Sequence, residues 1–110
     1  MTAKDFRTWN ATVLMAQRLA LSDVPDLSRT RRQRLVAAGY RDVADYLGNT
    51  PTVAKASYVD PRVVDLFHDG VVVPQSVLPR RDAHLPVHPR VERAVARMLL
   101  PQRVSRARAA

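Results

Sequence analysis

The chain contains no cysteine, which excludes a disulfide framework and any thiolate metal site. With only three glycines in 110 residues, it has no glycine-rich loop to cradle the phosphates of a nucleotide. No N-terminal apolar run suggests a signal peptide or a membrane span, so a cytoplasmic, nucleoid-associated protein that avoids the membrane is expected. Histidine is scarce as well. His84 and His88 are four apart, a spacing that suits metal on a helix, but Pro86 lies between them and Pro89 follows, which removes the helix. Asp60, Asp65 and Asp69 fit no calcium-loop spacing. Neither a metal nor a nucleotide cofactor is expected.

What the chain has in excess is positive charge. It carries 18 Lys and Arg against 10 Asp and Glu, a net of +8, which makes an acidic polymer the default partner and nucleic acid the commonest one. The charge is unevenly spread. Residues 1–70 hold 10 basic and 8 acidic side chains, a net of +2, whereas residues 71–110 hold 8 and 2, a net of +6. Apolar residues make up 46%, ordinary globular usage that argues against disorder along most of the chain. The length allows one domain with a modest core.

Helical periodicity dominates the pattern. Thr2 followed by Asp5 resembles a capping box, and Phe6, Trp9, Val13, Ala16 and Ala20 then share one face of a helix predicted over 3–21. Lys4, Arg7 and Arg18 recur on another face. Ser28 caps a second helix over 28–47, with an apolar stripe of Leu35, Gly39, Val43, Tyr46 and Leu47. Its first turns carry Arg29, Arg31, Arg32 and Arg34. Four arginines near a helix N-terminus repel one another and the positive end of the dipole, so phosphate contact there would relieve an electrostatic cost.

Gly48 ends that helix, and Thr50-Pro51 and Asp60-Pro61 each read as a cap followed by proline at the first helical position. Two short helices, about 51–57 and 61–68, therefore flank Tyr58. Val71 to Val73 is a β-prone run, and the prolines at 74, 79, 86 and 89 make regular structure unexpected before a last helix over 89–100. The fold class is mainly α. Residues 1–70 form the first unit, and 71–110 an extended connection, a terminal helix and a basic tail.

A lone tyrosine between short helices is more often a packed side chain with a tethered hydroxyl than a nucleophile. The motifs around this one reverse that expectation. Lys4-Asp5-Phe6-Arg7-Thr8-Trp9, Tyr46-Leu47-Gly48-Asn49-Thr50-Pro51 and Ser57-Tyr58-Val59-Asp60-Pro61 together resemble the type IB DNA topoisomerases. The likeness is nearest to the compact bacterial and poxvirus-like branch and runs over about residues 1–70. It implies the C-terminal helical portion of the catalytic domain shared by topoisomerase IB and tyrosine recombinases. Tyr58 matches the nucleophile that becomes joined to the 3′ side of a backbone phosphate in duplex DNA. Arg7 matches the second of two arginines that hold the non-bridging oxygens of that phosphate. Asn49 falls where many relatives have histidine and bacterial ones often asparagine, as a hydrogen-bond donor to the same oxygens. Lys4 and Lys55 match positions near the DNA backbone. A phenol, with a pKa of about 10, attacks well only if the developing charge is held by fixed donors, and arginine's planar fork suits two oxygens at once. Resealing would need no ATP, because the DNA–tyrosine bond keeps the phosphodiester energy.

The resemblance also implies an earlier arginine, and a lysine on a β-hairpin acting as general acid, both upstream of residue 1. The expectation is therefore a C-terminal fragment, otherwise monomeric, that binds DNA with steep salt dependence. Alone it would be inactive or impaired unless an upstream fragment completes the site. Two other readings stay open. In tyrosine recombinases a histidine stands where this chain has Lys4, and Leu-Gly-His where it has Leu47-Gly48-Asn49. A basic DNA-binding module without the reaction is the third.

Overall fold

The structure, a computed structural model, describes residues 3–23, 26–78 and 89–99, and the side chains of 3–5 are not among the described atoms. The expected cap at Thr2, the Lys4 side chain, the proline-rich stretch 79–88 and the basic tail from 100 onward lie outside the described residues. Within them the protein is helical, without a strand. The order is α1 (Ala3–Ser22), α2 (Arg29–Leu47), α3 (Pro51–Val53) running into a π-helical turn (Ala54–Tyr58), α4 (Pro61–His68), a 3₁₀ turn (Gln75–Val77) and α5 (Pro89–Met98).

Local chemistry explains most of the boundaries. The Ser28 hydroxyl accepts from the Arg31 N–H at 3.1 Å and starts α2. At the other end Gly48 sits at φ 69°, where a side chain would be strained, and the N–H groups of Gly48 and Asn49 bond the Asp45 and Ala44 carbonyls at 3.3 and 2.9 Å. That is the Schellman arrangement, which satisfies carbonyls the helix cannot. Thr50 and Asp60 cap α3 and α4 through the N–H groups of Val53 and Arg62.

α1 is the central element, in contact with α2, the π turn, α4 and α5. From Ala11 to Gln17 every residue is buried, so the expected single apolar face widens to the whole circumference, as it must for a helix surrounded by others. Phe6, expected in that face, is 56% exposed because the first turns precede the packed section. The buried stripe of α2 is also shifted. Val36, Gly39, Tyr40, Val43 and Ala44 face inward, Leu35 and Leu47 are half-buried, and Tyr46 is exposed. At Gly39 α2 packs tightly against α1, since a Cβ there would lie 2.8 Å from Met15 Sδ.

Beyond residue 70 the chain packs back onto this core. Val73, Val91 and Val95 join the same buried cluster, Gln75 Nε2 donates to the Ala20 carbonyl at 3.0 Å, and Trp9 Nε1 donates to Glu92 on α5 at 2.7 Å. The β-prone Val71 to Val73 forms no strand, and the Gln75–Val77 turn is regular structure where none was expected.

Arg32 departs most from its expected role. Its side chain is only 15% exposed and lies 3.6 Å from Asp23. It donates to the Phe67 carbonyl at 2.6 Å and its guanidinium stands 4.9 Å from the Phe67 ring centre. It ties α2 to α4 while lining a surface cavity of about 640 Å³. Arg32→Ala should cost about 1–3 kcal/mol by loss of the carbonyl bond and the ring contact, whereas Arg29→Ala, at an exposed position, should stay within about 0.5 kcal/mol. Equal shifts in denaturant unfolding would refute that assignment.

Candidate active site

Tyr58 closes the π turn. The Val59 N–H reaches five residues back to the Ala54 carbonyl at 3.0 Å, and Ala54 and Val59 are both buried. The wide turn lets both small apolar residues enter the core while Tyr58 stays half-buried at its edge. Such single π turns often occur at functional sites. Lys55, on the same turn, is exposed.

The π turn is fastened to α1 by Thr12, which is 2% exposed. Its hydroxyl lies 2.8 Å from the Thr8 carbonyl and 3.3 Å from the Tyr58 carbonyl, and accepts from the Asp60 N–H at 3.0 Å. Arg7 is the neighbour of Thr8, exposed on the N-terminal turns of α1, roughly 7.5 Å along the helix axis from Thr12. Asn49 lies at the α2–α3 junction, half-buried, with its backbone N–H committed to Ala44. Among the described residues, four surface cavities of about 290 to 640 Å³ are lined by residues other than Arg7, Asn49 and Tyr58. The elements carrying Arg7 and Tyr58 are in contact with each other.

After the tyrosine, Asp60 caps α4 and pairs with Arg62 at 2.7 Å, while Arg62 Nη1 donates to the Leu99 carbonyl at the end of α5 at 3.2 Å. The hydrogen bond from Arg62 holds the Asp60 carboxyl below its ordinary value of 3.8, outweighing the opposing effect of burial. A carboxylate with a depressed folded-state pKa contributes stability that is present above the ordinary value and lost as pH falls through the folded one. The midpoint of unfolding should therefore drop on acidification below about pH 4, and less so in Asp60→Asn, which still caps α4. Identical acid profiles for the two proteins would exclude Asp60 as the source.

The basic candidates on α2 separate into different surroundings. Arg31 and Arg34 are exposed and border a cavity of about 290 Å³ with Ser22, Leu27 and Leu35. Arg29 is exposed beside a cavity of about 640 Å³ whose other wall carries Asp65 and Asp69, carboxylates that weaken its pull on an anion. Arg32 lines the same cavity, held there by Asp23 and the Phe67 carbonyl. Thr12 was the residue that sequence reasoning missed. Its signal is a hydroxyl inside an otherwise apolar helical stretch, where burial demands a partner.

Residues 1–68 match the family model of the eukaryotic DNA topoisomerase I catalytic core. The chain belongs to that family. The match begins before α1 and ends with the last residue of α4, so it takes in Arg7, Asn49, the Thr12 contacts and Tyr58. α5 lies beyond it, although its partners Trp9 and Arg62 lie within. No curated protein matches the chain. Membership makes this a type IB topoisomerase-like core at family level, with DNA as the family's substrate. Among the described residues no helix is long and apolar enough to cross a membrane, and no group of three or more His, Cys, Asp or Glu is placed to hold a metal ion.

Proposed function

We propose that this chain cuts and reseals one strand of duplex DNA through Tyr58, as the C-terminal part of a catalytic domain from the compact bacterial and poxvirus-like branch. The phenolic oxygen attacks a backbone phosphorus as its proton passes to solvent. The bond to the 5′-oxygen breaks, that oxygen takes up a proton, and a 3′-phosphotyrosyl bond is left. Rotation of the freed strand relaxes supercoils, and attack by the 5′-hydroxyl restores the phosphodiester and releases the phenol. Arg7 and Asn49 hold the non-bridging oxygens, where negative charge grows in the transition state. Lys55, Arg31 and Arg34 contact the backbone on either side.

One observation carries this reading: inside the family-matched span, the turn bearing Tyr58 is hydrogen-bonded to the helix that bears Arg7. The general acid and the first arginine of the family's plan are proposed to come from a segment outside this chain. On ordinary DNA the chain alone should accordingly be slow by a factor on the order of 10² or more.

The test uses duplex DNA with sulfur in place of the leaving 5′-oxygen. A thiol with a pKa of about 8.5 departs without a proton donor, so the whole chain, unaided, should form a protein–DNA adduct that survives denaturation. DNA binding with no adduct on this substrate, even over incubations on the order of 10³ times longer to allow for the missing first arginine, would leave only the non-enzymatic module.

A further inference from the structure

We infer that Thr12 is a positioning residue for the tyrosine, an inference that rests on the reading of Tyr58 as nucleophile. The hydroxyl has one proton and two lone pairs. A lone pair holds the Asp60 N–H at 3.0 Å, and the proton faces the Thr8 carbonyl at 2.8 Å and the Tyr58 carbonyl at 3.3 Å. A threonine in a helix commonly bonds the carbonyl four residues back, and the bond to Thr8 is that one. The contacts to residues 58 and 60 go beyond it. They join positions 46 and 48 residues apart, on two elements that no covalent link fixes to each other.

Their effect falls on particular bonds. The peptide plane between Tyr58 and Val59 is held on both edges, its N–H by the Ala54 carbonyl at 3.0 Å and its carbonyl by the Thr12 hydroxyl. The next plane is held through the Asp60 N–H. The plane that follows Tyr58 is thereby set, and the π turn Ala54–Tyr58 sets the plane before it, so the direction of the Tyr58 Cα–Cβ bond is fixed and only side-chain torsions remain to carry the phenolic oxygen to a phosphorus. The same hydroxyl meets the Thr8 carbonyl one residue from Arg7, so beside the apolar packing of Ala54 and Val59 a buried oxygen links the turn of the nucleophile to the helix of the phosphate-binding arginine. A misplacement of about 1 Å between reacting groups can cost on the order of 10²-fold in rate.

The experiment compares the full chain with Thr12→Val, which keeps the shape and removes the hydroxyl, and Thr12→Ser, which keeps the hydroxyl. Two readouts are taken: adduct formation on the sulfur-substituted duplex at saturating DNA, and hydrogen exchange of the Asp60 amide without DNA. Thr12→Val should slow adduct formation on the order of 10²-fold, leave DNA affinity unchanged and speed Asp60 exchange. Thr12→Ser should restore both readouts to near the parent values. The inference is overturned if Thr12→Val forms adduct at the parent rate, if Asp60 exchange does not change, or if Thr12→Ser is as slow as Thr12→Val. Should the parent chain form no adduct, the reading of Tyr58 fails by itself, and the exchange measurement alone then decides whether Thr12 holds the turn.

Discussion

Tyr58→Phe is expected to abolish covalent capture of DNA while leaving DNA affinity within error of the parent chain. The substitution deletes one oxygen and keeps the ring, so the half-buried packing of residue 58 against the core cluster survives. The hydrogen bonds that shape the π turn all use backbone groups of residues 54, 58, 59 and 60, and none involves the phenolic oxygen. The other tyrosines provide the controls. Tyr40 is 8% exposed, and burial, with the nearby Asp65 charge adding to it, raises its pKa and keeps it protonated. Tyr46 is exposed at the end of α2, and Tyr46→Phe should capture DNA at the parent rate. Adduct persisting in Tyr58→Phe, read by gel shift under denaturing conditions, would move the nucleophile to a neighbour such as the exposed Ser57 and refute the assignment.

The helix ends were legible because they depend on chemistry within a few residues. Ser28, Gly48, Thr50-Pro51 and Asp60-Pro61 each stop or start a helix where local hydrogen bonding and allowed φ values require it, and two of the three family motifs lay on the last three of those junctions. The shape of the segment between them was not legible. Residues 51–57 read as one short helix, yet the turn widens at Ala54 because Ala54 and Val59, five apart, must both enter the core around α1. That demand comes from packing and leaves no periodic trace in eight residues. The shifted stripe of α2 has a similar origin. Leu35 and Val36 are adjacent and both apolar, and only Val36 falls on the side of α2 that, at Gly39, packs against Met15 of α1.

Charge was the least legible property, since a count of arginines is blind to where each one points. Arg32 differs from Arg31 and Arg34 because Asp23, just ahead of α2, and Phe67, from a distant part of the chain, arrive beside it. The candidate site shows the same division. Arg7, Asn49 and Tyr58 could be named from motifs, whereas Thr12, which joins two of their elements, carries no motif of its own and is recognised only once its hydrogen bonds are drawn.

Arg7→Ala is expected to slow adduct formation by a factor on the order of 10² to 10³ at saturating DNA. Attack by the phenol places added negative charge on the non-bridging oxygens, and a guanidinium that meets two of them at once stabilises that state more than the ground-state phosphate. Because the effect is differential, it should persist when DNA is saturating, where loss of simple attraction no longer matters. Arg18 is the matched control. It lies eleven residues later on α1, three turns away and on nearly the same side of the helix, and it is exposed beside Asp42 at 3.8 Å. Arg18→Ala removes the same unit of charge, so it should weaken binding at low salt without changing the saturated rate. Arg7→Lys should fall between the parent and Arg7→Ala, since an ammonium keeps the charge but cannot grip both oxygens. If Arg7→Ala and Arg18→Ala were to slow capture equally, Arg7 would contribute only to the basic surface of α1, and the phosphate would have to be held by groups outside this chain.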